Sequence, residues 1–195
     1  HPVSQWVLDL AEEDKGRFYK TENGQRLCLN PNTKAHHPVA SDTGRIVLNQ
    51  IREGSTVWKN KECSLIDLGD GILNFEVHSK MNTLGGAVLS GLNKAFDLAE
   101  SSYKGLVIGN QGAQFSAGAN LAMIFMLATE GEWEELDFAV RYFQKSVMRV
   151  RYSGIPVVVA PHGLSLGGGC EMSLHADAVQ AAAETYTGLV EVGVG

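Results

Sequence analysis

Cysteine is scarce in this sequence, and its placement excludes several kinds of site. The 195 residues include three cysteines, Cys28, Cys63 and Cys170, and no C-x-x-C pair. An odd number of widely separated cysteines is not a disulfide framework, and without paired ligands neither a structural zinc site nor a redox dithiol is predicted. Cysteine usage of this kind is typical of a reducing compartment, so we expect a cytoplasmic protein.

Long apolar runs and an excess of positive charge are missing as well. No apolar run approaches ~18 residues, the length that a membrane span needs, and no signal-peptide pattern is visible. The formal net charge of −6 disfavours nucleic-acid binding by bulk electrostatics. The chain opens at His1 without a methionine and ends directly after a candidate active-site segment, so we expect it to be part of a longer protein.

Glycine, by contrast, is abundant and clustered. The 22 glycines are about 11% of the chain against a usual ~7%, and 44% of all residues are hydrophobic, which is enough for a sizeable core. The excess falls at residues 105–118, 163–169 and 188–195. Such clusters favour close approach of the backbone to a ligand.

The hydrophobic pattern changes near residue 64. Before it, residues 2–14 predict a short helix, the stretches on either side of Asn23 and Gly24 predict a hairpin, and residues 31–42 predict a polar linker. After it, short buried strands alternate with helices, which predicts an α/β architecture. Each glycine loop then lies between a strand and the following helix, where α/β folds usually bind ligands.

The later strands and helices have recognisable limits. Strands are predicted at residues 64–68, 72–77, 105–109, 155–161 and 178–183, and helices at residues 84–99, 121–127 and 133–150 and after the glycines of residues 167–169. The helix at residues 84–99 has an apolar stripe of Val88, Leu92, Ala95, Phe96 and Ala99. The helix at residues 133–150 has one of Leu136, Val140, Phe143, Val147 and Val150.

Two loops have backbone amides suited to binding an oxyanion. In Leu-Gly-Gly-Gly-Cys-Glu, residues 166–171, every Cβ is missing at a helix start, where the first N–H groups lack helical partners and the helix dipole is positive. In Phe-Ser-Ala-Gly-Ala-Asn, residues 115–120, Gly118 permits a turn that aims the N–H of Ala119 at the same oxygen. Tight helix–strand packing and an N-cap role for Asn120 are the simpler alternatives.

Two glutamates are the candidate proton-transfer groups. Glu171 lies in the first turn after the glycines, where the helix dipole favours its ionised form. Glu191 lies in a glycine-rich, apolar stretch, so we expect it to be partly buried rather than solvated. Two carboxylates behind two donor loops can move protons beside a stabilised oxyanion. A helix cap or a salt bridge is the alternative role for either one.

Four segments together resemble the crotonase (enoyl-CoA hydratase/isomerase) superfamily. They are Lys-Met-Asn-Thr-Leu at residues 80–84, Phe-Ser-Ala-Gly-Ala-Asn-Leu at residues 115–121, the stretch at residues 155–177, and Thr-Gly-Leu-Val-Glu-Val-Gly-Val-Gly at residues 187–195. The resemblance covers about residues 64–195. It implies a ββα superhelix cut at its C-terminus, and a homo-oligomer for the intact protein.

The resemblance also implies roles for particular residues. Ala119 and Gly168 would be the oxyanion-hole donors to a thioester carbonyl, and Glu171 and Glu191 the acid pair of a hydratase. Substrate contacts are implied for the neighbouring Ala117, Gly118, Asn120, Leu121 and Gly167. The sequence departs from the family's usual pattern at Asn120, Thr187 and Val190, where aspartate, phenylalanine and proline are common.

Residues 18–67 are similar to the joining region of long bacterial fusion proteins in which a 3-hydroxyacyl-CoA dehydrogenase precedes the crotonase part. This similarity implies three parts: residues 1–15 as the tail of the dehydrogenase-like domain, residues 16–63 as hairpin and linker, and residues 64–195 as the N-terminal portion of a crotonase-like domain. NAD would serve the dehydrogenase part. The hydratase part would need no metal or redox cofactor and would take acyl-CoA as its substrate.

The pair of glutamates favours hydration of a trans-2-enoyl-CoA in fatty-acid β-oxidation. Isomerases of the family commonly keep one glutamate, so an enoyl-CoA Δ-isomerase is the first alternative. A non-catalytic acyl-CoA-binding or assembly module is the second. The segment at residues 123–126 could line an acyl pocket, although a place in the core is the simpler interpretation. His36 and His37 are interpreted as solvated, His78 and His162 as hydrogen-bonded structural histidines, and Cys170 as a packing residue.

Overall fold

Two compact units make up the chain, residues 1–54 and residues 55–195. The structure, a computed structural model, describes residues 2–13, 17–22, 25–39 and 44–193. In these ranges no helix is both long and apolar enough to cross a lipid bilayer.

The first unit contains a helix, a three-stranded antiparallel sheet and a second helix. These elements are α1 (Gln5–Glu13), β1 (Tyr19–Glu22), β2 (Gln25–Asn30), β3 (Ala35–Pro38) and α2 (Leu48–Ser55), the last of which ends one residue into the second unit. Strand β2 lies in the centre and pairs with β1 and β3. The predicted first helix and hairpin are confirmed, and the turn predicted at Asn23 and Gly24 lies outside the described residues.

The prediction of a linker at residues 31–42 is wrong for Ala35–Pro38, which form β3. Strand β3 pairs with β2 in the register Leu29↔His36 and Cys28↔His37. The backbone groups of this polar stretch gain partners from β2, so pairing with a neighbouring strand overrides a weak local pattern. His37 is exposed, as predicted, whereas His36 is half-buried.

The second unit is built on a mixed six-stranded sheet. Its elements are β4 (Thr56–Lys59), β5 (Cys63–Asp67), β6 (Ile72–Val77), a 3-10 helix (Lys80–Asn82), α3 (Gly86–Ser102), β7 (Gly105–Ile108), α4 (Leu121–Glu130), α5 (Trp133–Arg151), β8 (Val157–Val159), β9 (Leu164–Leu166), α6 (Gly168–His175), β10 (Ala178–Val179), β11 (Tyr186–Gly188) and a second 3-10 helix (Val190–Gly193). The α/β architecture predicted from residue 64 onward is confirmed. The sheet also includes β4, which precedes that residue.

The strand order in the large sheet is β10-β8-β7-β6-β5-β4. Strands β4, β5 and β6 are antiparallel neighbours, whereas β6, β7, β8 and β10 run parallel. The predicted tight turn between β5 and β6 has positive φ at Gly69, Asp70 and Gly71, a conformation that glycine adopts without strain. Separately, β9 and β11 form a parallel pair.

Helix α3 covers the sheet and carries much of the core. All five residues of its predicted apolar stripe are buried, together with Leu89 and Gly91. They pack with buried side chains of β5, β6, β7 and β8. The stripe therefore predicted the core face of α3 correctly.

The apolar face predicted for α5 is buried only near the end of that helix. Val147 and Val150 are buried, while Val140 is 44% exposed. The helical spacing of the apolar residues was right, but Leu136 and Val140 are not part of the core, and Phe143 packs against it only partly buried. Val140 and Phe143 border a cavity that belongs to the candidate site.

Candidate active site

The loop between β7 and α4 presents the amide of Ala119. Gly118 has φ of +88°, and a β-carbon at this residue would lie 2.9 Å from the backbone oxygen of Leu166. Its carbonyl accepts a hydrogen bond of 2.8 Å from the N–H of Leu84. Asn120 then caps α4, because its Oδ1 accepts from the N–H of Met123 at 3.4 Å. Both the turn at Gly118 and the N-cap at Asn120 agree with the sequence prediction.

The three glycines before Glu171 each face a different close neighbour. A β-carbon at Gly167 would overlap the carboxylate of Glu191, and one at Gly168 would overlap the ring of Phe143. At Gly169 it would lie 2.9 Å from the β-carbon of Ser116. A side chain added at each position would therefore force a different neighbour to move.

The two glycine loops lie against each other. The position of a β-carbon on Gly118 is 3.5 Å from the backbone nitrogen of Gly168. Leu84 joins them further, since its N–H binds Gly118 and its Cδ1 lies 3.0 Å from a β-carbon placed on Gly168. The sequence motif that contains Leu84 was visible, but nothing in the sequence indicated that Leu84 joins the two loops.

The amides of Ala119 and Gly168 lie in the two glycine loops, and Gly168 is buried. Within the described residues, neither N–H donates to a backbone or side-chain acceptor. Gly168 is the first residue of α6, where N–H groups have no partner within the helix and the helix dipole adds positive potential. An oxyanion hole requires two unpaired donors that converge on one point, and these adjacent loops contain two unpaired donors.

The parallel pairing of β11 with β9 brings the second carboxylate to this place. Gly188 is opposite Leu166 in the register, and the carbonyl of Gly188 accepts from the N–H of Gly167 at 2.9 Å. Three residues later, the carboxylate of Glu191 lies against Gly167. Glu171 follows in α6, with its N–H donating to the carbonyl of Gly167 at 2.9 Å. Both glutamates thus adjoin the same glycine.

The electrostatics of the two glutamates differ from the sequence prediction. Burial, and then the negative charge of Glu191, raise the pKa of Glu171, while His175 acts in the opposite direction. The predicted preference of Glu171 for its ionised form is therefore wrong, because burial and the like charge of Glu191 raise its pKa. Glu191 is exposed, so the expected partial burial of that residue is wrong as well.

A cavity of about 440 Å³ adjoins Ala119 and Glu171. Most of its lining is apolar and comes from α3, α4 and α5, with Leu89, Met123, Ile124, Phe138, Ala139, Tyr142 and Phe143 among the residues. Helix α4 has no buried residue, so the core role preferred for residues 123–126 is wrong. Met123 lines the cavity, while Phe125 and Met126 are 69% and 51% exposed.

The other residues predicted for the site differ in how far they are buried. Gly118 and Gly167 are buried, Ala117 is half-buried, and Leu121 is 72% exposed and does not line the cavity. Cys170 is buried, consistent with packing.

The two structural histidines have hydrogen-bond partners. His78 Nε2 lies 2.9 Å from Ser64 Oγ, and His162 Nε2 lies 2.9 Å from the carbonyl of Gly112. In the part of the chain that the structure describes, no three His, Cys, Asp or Glu side chains are grouped as metal ligands.

Comparison with known proteins places this geometry in a family. The family model described as enoyl-CoA hydratase/isomerase matches residues 69–195. A probable 3-hydroxyacyl-CoA dehydrogenase of Bacillus subtilis (strain 168) is 42% identical over 191 residues, 97% of this chain but 24% of that protein. A protein of Rickettsia felis, named for a fatty acid oxidation complex trifunctional enzyme, is 34% identical over 74% of this chain and 20% of its own length. The chain thus spans about a quarter or less of these curated relatives.

Solved structures share the fold. An enoyl-CoA hydratase from Thermoplasma volcanium GSS1 matches with a TM-score of 0.60 and 25% identity, covering 70% of this chain and 54% of that one. One from Polaromonas sp. JS666 matches with a TM-score of 0.64 and 24% identity, covering 68% and 52%. The fold of the second unit is therefore the crotonase fold.

Proposed function

Because the chain belongs to the enoyl-CoA hydratase/isomerase family, we propose that it adds water to a trans-2-enoyl-CoA and forms a 3-hydroxyacyl-CoA. The observation that carries this proposal is the carboxylate of Glu191, which lies against Gly167 and adds to the effect of burial in raising the pKa of Glu171, beside two unpaired backbone amides. Hydration needs one proton removed from water and one delivered to carbon. Two neighbouring carboxyl groups can perform both transfers.

In the proposed complex, the N–H groups of Ala119 and Gly168 bind the thioester oxygen. This oxygen gains negative charge as the substrate becomes enolate-like, so donors held in place beforehand stabilise the transition state more than the substrate. One such donor is typically worth ~3–4 kcal/mol. The close packing of the two loops supports this role because it limits reorientation of the amides.

A water molecule between the two glutamates supplies the atoms that are added. Its oxygen bonds to C3 as one carboxylate takes its proton, and the other carboxyl group gives a proton to C2. Water is consumed and the pair keeps one proton throughout. The pKa of Glu171 is raised by burial and by the charge of Glu191, which makes it easier for this pair to hold a proton than for two solvated carboxylates. A coupled pair titrates as a unit, so we assign the acid and base roles to the pair.

The apolar cavity between α4 and α5 is the proposed place for the acyl chain. It borders both Ala119 and Glu171, so a chain inside it would extend away from the reacting carbons. Burial of methylene groups there would contribute about 0.8 kcal/mol each. Neither this binding nor the hydration step requires a metal or redox cofactor.

The test is hydration of trans-2-enoyl-CoA by the intact protein and by two variants, Glu171→Gln and Glu191→Gln. Each change removes one proton-transfer group at nearly constant volume, so kcat should fall about 100-fold to 10,000-fold. Glu184→Gln, which changes an exposed carboxylate between α6 and β11, is the matched control and should keep full activity. Unchanged turnover in both site variants would refute the proposal.

An enoyl-CoA isomerase is the second candidate, and the exposure of Glu191 favours it. A half-buried Glu171 with a raised pKa could move a proton alone, as a double-bond shift requires. In that case only Glu171→Gln abolishes turnover, and the product has a shifted double bond and no added water. Calorimetry that detects CoA-thioester binding without any turnover would instead support a binding module.

The names of the relatives support a place for this step in fatty-acid oxidation. The Bacillus subtilis relative is named for the oxidation of a 3-hydroxyacyl-CoA, which is the product of the proposed hydration. We therefore propose that the intact protein also has an NAD-dependent dehydrogenase part, and that residues 1–15 are its tail. A cytoplasmic location and a homo-oligomeric state remain predictions.

A further inference from the structure

Ser116 is a buried residue of the first donor loop, residues 115–120. The residue is 1% exposed. Its hydroxyl donates a hydrogen bond of 2.7 Å to the carbonyl of Asn82 and accepts one of 3.1 Å from the N–H of Gly118. One oxygen atom therefore connects the segment that precedes α3 with the residue next to Ala119.

The backbone of Ser116 connects equally closely to the second donor loop. Its N–H donates to the carbonyl of Leu164 at 3.0 Å, and its carbonyl accepts from the N–H of Leu166 at 2.9 Å. Its β-carbon lies 2.9 Å from where a β-carbon of Gly169 would be. Ser116 thus contacts the strand that leads into the glycines and the helix that follows them.

These contacts determine which way the amide of Ala119 points. Gly118 is flexible by nature, yet its N–H is bound by Ser116 and its carbonyl by Leu84. With both ends of Gly118 fixed, the following peptide has little freedom to rotate. Without the hydroxyl, Gly118 N–H loses its acceptor and that restraint disappears.

We propose that Ser116 is a positioning residue that holds the amide of Ala119 in line with that of Gly168, so that both bind the same oxyanion. The inference rests on the proposed function, because it concerns the same transition state. Ser116 touches no substrate atom in this account and acts through the backbone of Gly118. Its effect should fall on kcat, since the transition-state oxygen depends on donor direction more than the bound substrate does.

The test compares Ser116→Ala with Ser165→Ala in the intact protein. Ser165 is a matched control because it is fully buried and opposite Ser116 in a β-bridge, while its hydroxyl has no partner within the described residues. Ser116→Ala should lower kcat roughly tenfold with KM changed less than about threefold, because a small misplacement of a catalytic group costs one to two orders of magnitude. Ser165→Ala should keep kcat.

Hydrogen exchange measured by mass spectrometry supplies a readout that does not depend on turnover. Peptides covering residues 115–121 should exchange faster in Ser116→Ala than in Ser165→Ala, because Gly118 loses its acceptor. Ser116→Cys, which restores a weak donor and acceptor, should recover part of kcat and is the variant to assay if Ser116→Ala does not fold.

If the parent protein is active and Ser116→Ala has an unchanged kcat, this inference is overturned but the proposed function is not. Equal loss of kcat in both serine variants would also overturn it, since it would indicate a general effect of buried hydroxyl groups. If the parent protein hydrates no enoyl-CoA, the proposed function fails and this inference fails with it.

Discussion

The two donor loops and the cavity between α4 and α5 are neighbours with opposite packing. In the loops, the three consecutive glycines and Gly118 each face a named atom so closely that a β-carbon would collide or crowd it. Around the cavity, α4 has no buried residue and Phe138 is 70% exposed. One region has its geometry set by its own packing, whereas the other has apolar surface without a partner among the described residues.

This difference separates two kinds of contribution to a site. Close-packed backbone fixes directions, which matters most for groups that stabilise charge in a transition state. Unfilled apolar surface does not fix the direction of any group, but it provides a place where a ligand of variable length can be buried. We therefore expect changes in the loops to affect every substrate, and changes in the cavity to affect substrates according to their size.

Gly167→Ala should have the largest effect. Gly167 has φ of +49°, and the added methyl group would overlap the carboxylate of Glu191. The displaced carboxylate could no longer share a water molecule with Glu171, so kcat should fall about 100-fold or more for enoyl-CoA of every length. Steady-state kinetics on the intact protein measure this.

Gly54→Ala is the control for that substitution, because a β-carbon at Gly54 meets nothing within 4 Å. It should leave kcat unchanged. Equal kcat in Gly167→Ala and Gly54→Ala would show that the close contact between Gly167 and Glu191 has no part in the reaction. The close packing of the donor loops would then not explain catalysis.

Ala139→Phe should have an intermediate effect that depends on the substrate. Ala139 is half-buried and lines the cavity, so a ring at this position would fill space proposed for the acyl chain. We expect kcat/KM to fall about tenfold or more for long-chain enoyl-CoA and to stay nearly constant for a four-carbon substrate. Ala122→Phe, at an exposed position on α4 outside the cavity lining, should change neither value. An equal loss for short and long substrates would contradict a role for the cavity in holding the chain.

The smallest expected effect is on stability, which Glu171→Gln should increase even though it lowers kcat. Because the pKa of Glu171 is raised from its ordinary value of 4.5, the folded state binds its proton more tightly than the unfolded state does. That contribution to stability is full below pH 4.5 and is lost as the pH rises through the raised pKa. At neutral pH the ionised carboxylate therefore costs stability, and the amide removes this cost.

The expected gain at pH 7 is no more than about 1 kcal/mol, because Glu171 is partly solvated. Thermal unfolding of the intact protein at a series of pH values measures it, and the difference from the parent should shrink as the pH approaches 4.5. Glu184→Gln should show no such gain. A variant that is less stable than the parent at pH 7 would contradict the assigned cause of the raised pKa.

The sequence predicted which segments form helices and strands better than it predicted what those elements pack against. The apolar spacing in α3 identified its core face correctly, since all five stripe residues are buried. The same kind of spacing in α5 predicted a buried face that exists only around Val147 and Val150. Periodicity reports which side of a helix is apolar, but it does not say whether the protein itself covers that side.

The candidate site shows the same limit. Motifs indicated the two loops and both glutamates, and the structure brings these residues together. The contacts of Leu84 and Phe143 with Gly168, and of Ser116 with Gly169, were missed. They bring together residues 84 (168 − 84), 25 (168 − 143) and 53 (169 − 116) positions apart in sequence. The pKa of Glu171 was predicted in the wrong direction, because its burial depends on tertiary packing and the approach of Glu191 depends on the pairing of β11 with β9.

A crystal structure of the intact Glu171→Gln protein with a bound trans-2-enoyl-CoA tests the central claim most directly. The thioester oxygen should lie about 3 Å from the backbone nitrogens of both Ala119 and Gly168, with Glu191 beside the double bond. A thioester oxygen bound to neither nitrogen, or two amides that point to different places, would contradict the account.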